Sequence, residues 1–359
     1  MKSSLRWPTA AILLLISNWA AAQMTPSPSL LILSKHDRSL TIVDPATLKS
    51  VATIPVGNDP HEVVSSSDGK TAYVSNYGYG AYHSLAVVDL VAQKPLPAIE
   101  LGALRGPHGL AFRDGKVWFT AEGARVIGSY DPATAKIDWI MGTGQDRTHM
   151  IYVFPGAKRI LTTNVNSGTV TIFEEHELTP GAMPGAPPAG MSPTGTQPPQ
   201  GPPGGMPPGN GNDWQLTVIP AGARGEGFDV SPDGKMAWVA NPGDGTISVI
   251  DIANKSNVTN LAANVSGANR LKFTPDGKLA LISAGLNLVI FDVAAQKEIK
   301  RLPIGHGSGG VLVQPDGARA FVACSPDSYV AVIDLKTLTV TGHIPTGGDP
   351  DGMNWAVRP

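Results

Sequence analysis

One pattern recurs along this chain and constrains it more than any other feature: an apolar strand, a turn built on Asp-Gly, and a second apolar strand. It reads VVSSSDGKTAYVSN at 63–76 and returns at 110–120, 228–241, 271–283 and 311–324. A spacing of about 40 to 45 residues between copies is the signature of stacked units such as propeller blades. The pairs Asp68-Gly69, Asp114-Gly115, Asp233-Gly234, Asp276-Gly277 and Asp316-Gly317 predict two-residue hairpin turns, because both residue types tolerate positive φ; Pro155-Gly156 stands in once. A third strand follows each hairpin and closes on an acid, at 40–44, 85–89, 126–131, 247–251, 288–292 and 330–334, with Glu174 replacing the Asp once. A short Asp accepts hydrogen bonds from backbone groups just ahead of it and so starts the next turn, which makes these acids structural.

A fourth strand completes each unit, as at 51–56, 300–304 and 341–344. Innermost strands start near His61, His108, His149, Glu226, Asn269, Gly309 and Asp351, which counts seven blades. The last innermost strand, 351–357, ends the chain, and its three missing partners are 30–33, 40–44 and 51–56. The fold read from this is all-β: a seven-bladed β-propeller of four-stranded antiparallel blades, closed by N- and C-terminal strands in one blade. Closure removes exposed sheet edges.

Composition agrees. Charged residues are 16% of the chain, with 41 Gly and 32 Pro, which suits short buried strands and many turns and argues against helical bundles. A net charge of -2 with both signs dispersed gives no basic stripe for nucleic acid, and no apolar run after the start is long enough to span a bilayer. The first 22 residues read as a secretory signal, with Lys2 and Arg6, an apolar stretch at 10–16 and Ala20-Ala21-Ala22 as cleavage site. A periplasmic or secreted protein is therefore expected, with 23–29 as a linker and the propeller over 30–359. The rhythm breaks once, at 180–212, an uncharged Pro/Gly-rich insert between the third and fourth strands of the third blade. It is expected to be disordered and to leave the face opposite the innermost-strand starts, as a partner-contacting arm or a neutral surface loop. The single Cys324 excludes an internal disulfide, no Cys-x-x-Cys-His offers covalent haem attachment, and its apolar strand predicts a buried, inert thiol.

The run Ser67-Asp68-Gly69-Lys70 with Tyr73-Val74-Ser75-Asn76, and Val230-Ser231-Pro232-Asp233-Gly234-Lys235 with Trp238-Val239-Ala240-Asn241, resembles the YVTN-type β-propeller repeat of exported and surface proteins. That resemblance implies the fold over nearly all of the mature chain; its members include adhesive, scaffolding, redox-associated and hydrolytic proteins. In the second blade, Val117-Trp118-Phe119-Thr120-Ala121-Glu122, Ile127-Gly128 and Asp131-Pro132-Ala133-Thr134 are similar to the repeats of virginiamycin B lyase-like propellers, which implies metal-assisted lyase chemistry.

A propeller aims the first residue of each innermost strand at the mouth of its channel, so His61, His108, His149, Glu226, Asn269, Gly309 and Asp351 form one ring. Three of the eight histidines occupy successive positions in it. Imidazoles and a carboxylate converging from adjacent strands are the ligand set of catalytic zinc or non-haem iron, so His61, His108, His149 and Glu226 are candidate ligands of a divalent metal. The same histidines could instead only donate hydrogen bonds across blades. Tyr77, Tyr79, Tyr82 and His83 lie on the longest link between second and third strands, where the rings suit a sugar, peptide or lipid-like ligand or pack on the next blade. Arg147, Arg224 and Arg270 stand one or two residues from ring positions, for anion recognition or inter-blade ion pairing.

Two functions fit. One is a monomeric binding or scaffold module recognising a small molecule, glycan or protein at the mouth. The other is a metal-dependent hydrolase or lyase of the lactonase-like or lyase-like kind at the same place.

Overall fold

The computed structural model describes residues 24–177 and 212–359. The proposed signal at 1–22 lies outside the described residues, and so does the insert except for its last residue, Asn212. Among the described residues there are 28 strands and three short 3-10 turns, with no helix long and apolar enough to cross a membrane.

The strands form seven four-stranded antiparallel sheets. Blade 1 begins with Pro60–Ser65, blade 2 with Pro107–Arg113, blade 3 with Thr148–Val153, blade 4 with Phe228–Val230, blade 5 with Ala268–Phe273 and blade 6 with Ser308–Val313. Blade 7 is the closing blade: Pro350–Ala356 pairs with Ser29–Ser34, followed outward by Ser39–Asp44 and Lys49–Pro55. The innermost strands contact one another in blade order, and that of blade 7 packs on that of blade 1.

Second and third strands carry the burial, as in Ser29–Ser34, where all six residues are buried. Outer strands alternate, as in Lys136–Gly142 and Thr339–Pro345, because only one of their faces meets a neighbour. The core is a set of apolar layers between blades. Leu31, Leu40 and Ile42 of blade 7 meet Val63, Val74 and Val88 of blade 1; Trp238 and Val249 of blade 4 meet Leu271, Phe273 and Ile282 of blade 5. Cys324 belongs to one of these layers, fully buried, and burial pushes its thiol up to about 11, so it is inert at neutral pH.

The turns follow the expected chemistry with one correction. Six third strands end in an Asp whose carboxylate accepts backbone N–H groups two or three residues on, for example Ala46 N to Asp44 at 2.9 Å and Thr337 N to Asp334 at 2.7 Å. Of the Asp-Gly hairpins, only Asp114-Gly115 is a two-residue turn, with Arg113 paired to Lys116 and φ of 52° and 79°. In blades 1, 4, 5 and 6 the loop is wider. Ser66, Ser231, Thr274 and Gln314 reach the Asp side chain, the Asp carboxylate takes the N–H two residues on, and only the Gly has positive φ. The side-chain bonds substitute for a tight backbone turn.

In blade 3 the third and fourth strands, Thr169–Glu177 and Asn212–Pro220, are longer than the sequence reading of 169–173 and 214–219. They run paired out to Glu177 and Asn212, at the end away from the innermost-strand starts.

Candidate functional site at the channel mouth

Six of the seven ring positions are placed by the same irregularity. In blade 1 Pro60 pairs with Asn76 and the next regular pair is Val63 with Val74, so His61 and Glu62 fall in a bulge. The same slip brackets His108, His149, Asn269, Gly309 and Asp351; blade 4 differs, and Glu226 precedes its short strand. A bulge re-aims side chains out of the sheet plane, which turns these residues toward the axis. Side-chain hydroxyls on the second strands fix the bulges. Thr120 Oγ1 accepts from Gly109 N at 2.9 Å and donates to the carbonyl of His149 in the next blade at 2.8 Å. Thr163 bonds the Glu226 carbonyl at 3.0 Å, and Ser283 bonds that of Gly309 at 2.7 Å. Blades approach so closely here that a Cβ on Gly109 would lie 2.5 Å from the His149 carbonyl oxygen, and one on Gly352 2.2 Å from that of His61.

The three histidines line up around the mouth. Ring centroids are 4.9 Å apart for His61 and His108, and 3.8 Å for His108 and His149. Tyr77 closes the group, 4.9 Å from both His61 and His108. Its hydroxyl donates to Glu122 Oε2 at 2.5 Å, while Glu122 Oε1 contacts Nδ1 of His149. On the other edge of His149, Nε2 faces Glu226 Oε1 at 3.5 Å, and Arg147 Nε stands 3.5 Å from Glu122. Glu122 is buried at the start of the short turn Glu122–Ala124, which joins the second and third strands of blade 2. It belongs to the motif singled out in blade 2, but ring counting over innermost strands could not reveal it, because it arrives from a loop. Its one sequence signal is an isolated charge at the end of the apolar run 117–121.

Electrostatics divide the histidines. Burial, reinforced by nearby His149, His61, Arg270 and Arg147, holds His108 well below its ordinary value and so neutral. Burial opposes the charged form of His149 as well, but Glu122 and Glu226 outweigh it and raise its pKa. Glu226 is the counterpart: burial favours its neutral form, and His149, Arg270 and Arg147 bring it down to about 2. Burial first, then the Glu122 carboxylate, raises the Tyr77 phenol, which stays protonated. Nδ1 of His108 is buried with no hydrogen-bond partner, and Nε2 of His149 has only the 3.5 Å contact with Glu226.

The remaining ring positions are otherwise engaged. Asp351 lies 3.2 Å from Lys35 Nζ and 3.5 Å from His61 Nδ1, and His61 Nε2 meets Asp59 at 3.0 Å. Gly309 leaves room for Asp351, whose Oδ1 is 3.2 Å from where a Cβ would stand. Arg270 crosses the channel to Glu62 of blade 1 and also donates to Asn269 Oδ1 at 2.9 Å. A cavity of about 220 Å³ in the channel is lined in part by this pair and by Asp229 and Lys272. Tyr79 is 90% exposed above Tyr77, at a ring distance of 5.9 Å, so it is the aromatic free to meet a ligand. Tyr82 is also exposed, and His83 meets Glu100 at 3.1 Å. Arg224 is exposed and has no ion pair among the described residues.

No protein-family model and no curated protein matches the sequence. Solved structures do. A protein of unknown function from Desulfotomaculum acetoxidans superposes with a TM-score of 0.69 at 14% identity, covering 93% of this chain and 100% of its own. A 6-phosphogluconolactonase-like protein from Bacteroides uniformis gives 0.68 at 15%, covering 92% and 99%. The chain shares the propeller fold of these structures. Hydrazine synthase from Kuenenia stuttgartiensis shares it as well, with a TM-score of 0.63 at 16% identity over 83% of this chain and 92% of that one. At such identities the likeness establishes the architecture, and function has to be argued from the mouth itself.

Proposed function

We propose that this protein is an exported binding propeller that takes a small polar molecule at its channel mouth. One observation carries the reading. A neutral, buried imidazole, His108, presents an unpartnered nitrogen in the middle of a group of side chains that are otherwise fixed by one another. Buried polar groups are nearly always satisfied, so an orphan in a rigid setting points to a group supplied from outside. Glu226 and Arg147, which contact the neighbouring His149 and Glu122, are partly exposed, and Tyr79 is exposed against Tyr77, so polar groups and an aromatic face border the cluster. Export rests on the charged, apolar and small-residue succession of the first 22 residues.

The test is a thermal-shift panel of sugars, sugar acids and lactones on the wild type, on His108→Leu and on Tyr79→Ala. A ligand at about a hundredfold its Kd adds about 2.7 kcal/mol, a rise of several degrees, and that rise should disappear in His108→Leu and shrink in Tyr79→Ala. A flat panel, or a shift indifferent to His108, overturns the reading. Export is checked separately by fractionation and by mass spectrometry of the mature N-terminus, expected at Gln23; a retained Met1 would refute it.

A further inference from the structure

We infer that the mouth holds one divalent transition-metal ion on His108, His149 and Glu122, with Glu226 and Tyr77 as the outer groups that orient those ligands. The inference rests on the mouth being a binding site and names what it binds first. Donor atoms of His108, Glu122 and His149 lie within 4.8 Å of one another, and all three residues are buried. Two imidazoles and a carboxylate are a donor set suited to zinc or ferrous iron, and three protein ligands leave a coordination position for an outside oxygen.

The surroundings fit an ion more closely than they fit a simple ion pair. Glu122 Oε1 and Nδ1 of His149 face each other in direct contact, so both donors are aimed at the place an ion would take. Metal-bound histidines usually give their second ring N–H to a carboxylate, and Nε2 of His149 faces Glu226 Oε1 at 3.5 Å. The second oxygen of Glu122 is held by the Tyr77 hydroxyl at 2.5 Å, as an oriented carboxylate ligand requires. His108 adds a nitrogen that nothing in the protein uses. The ion thus accounts for the orphan at His108 Nδ1 and for two carboxylates flanking one imidazole. This ligand set differs from the one read along the ring: His61 is committed to Asp59 and Asp351, and Glu226 stands behind His149. With an ion present, the mouth could polarise a bound carbonyl or lower the pKa of water, the requirement of the hydrolase or lyase alternative.

The test is metal binding by the full mature chain, purified without a histidine tag. Zn²⁺ is titrated against a competing chelator, and Co²⁺ supplies an absorption spectrum that reports nitrogen and oxygen coordination. One ion per protein is expected. His108→Leu and Glu122→Gln should each weaken it at least a hundredfold, and Glu226→Gln by about ten- to a hundredfold, the range for outer partners. Circular dichroism and cooperative melting show which variants are folded; should Glu122→Gln not fold, the Co²⁺ spectrum of the wild type against His108→Leu decides. Absence of stoichiometric metal at micromolar free ion overturns the inference, as does retention of the ion by both ligand variants. A greater loss in Glu226→Gln than in Glu122→Gln overturns the ligand set. Because the small-molecule panel is run on metal-free and metal-loaded protein, ligand binding by a protein that takes up no metal defeats only this inference, and metal uptake with a flat panel defeats only the binding proposal.

Discussion

The two sides of the channel mouth are built from equivalent positions and do opposite things. Where blades 5 and 7 face blade 1, charge is closed off: Arg270 meets Glu62 and Asn269, and Asp351 meets Lys35 and His61. On the side of blades 2 and 3, His108 keeps a buried nitrogen without a partner, beside His149, whose imidazole is flanked by Glu122 and Glu226. The same bulge delivers both sets, so the backbone does not decide which side binds. What decides is whether each group finds its complement within the protein. A saturated cluster can only hold the ring together; an unsaturated one, kept rigid by its neighbours, is prepared for something from outside.

The contrast is broken or sharpened first by removing one member from each side. Arg270 is buried, and burial disfavours its charge, yet Glu62, Asp351 and Glu226 outweigh that cost and raise its pKa. Arg270→Met would leave the Glu62 carboxylate facing the channel uncompensated, at a cost of about 3 to 5 kcal/mol in urea unfolding. Adding Glu62→Leu should recover most of it, because an apolar pair of similar volume replaces a buried ion pair with little penalty. His108→Leu should cost under about 1.5 kcal/mol, since a neutral ring with an unmet nitrogen gives way to an apolar side chain of similar size. If the two single variants cost the same, the division into a structural side and a binding side is wrong.

The next effect concerns pH and belongs to the closed side. Burial pushes the Asp351 carboxyl up, but Lys35, Arg270 and His61 outweigh it, so its folded pKa lies below the ordinary 3.8. A carboxylate lowered on folding contributes fully above its unfolded value and loses that contribution as pH falls through the lower folded value. The melting temperature should therefore drop as pH falls below about 4, and Asp351→Asn should melt lower at pH 7 with a shallower acid decline. An unchanged acid slope in the variant would show that Asp351 does not carry this term.

Legibility in the sequence divides in the same way. The blade count, the closing blade and the membership of His61, His108, His149, Glu226, Asn269, Gly309 and Asp351 in one ring were readable, because strand periodicity and turn residues are local signals. Tyr77 was placed near the mouth from its loop. Glu122, Lys35 and Asp59 were not readable as site residues, since each reaches the mouth from a connection between strands and only the three-dimensional closure brings it there. Three of the ring positions also stood beside arginines of equal standing in the sequence: Arg270 is buried in an ion pair, Arg147 is half-buried by Glu122, and Arg224 is exposed. Nothing local distinguishes them, because the partner lies in another blade. The two-residue turns were overread for a related reason, since the Ser, Thr or Gln ahead of each Asp competes for its carboxylate and widens the loop.

The hydroxyls behind the ring offer the finest test, because they serve both sides equally. Thr120 links Gly109 N to the His149 carbonyl, and Ser283 links Arg270 N, at 3.0 Å, to the Gly309 carbonyl. Where an alanine occupies the place, at Ala240, the backbone pairs directly instead, Glu226 N to Ala240 O at 3.1 Å and Ala240 N to Gly227 O at 2.9 Å. Removing either hydroxyl strands a buried donor and acceptor, so Thr120→Val and Ser283→Ala should each cost about 1 to 3 kcal/mol. Their effects on stability should be alike, but their effects on binding should not. Thr120 fixes the backbone that carries His149, so Thr120→Val should weaken metal or ligand binding, whereas Ser283→Ala should leave it unchanged because the groups it anchors on blades 5 and 6 are already paired. Equal losses of binding in the two variants would mean that the mouth acts as one continuous ring rather than as a binding side braced by a structural one.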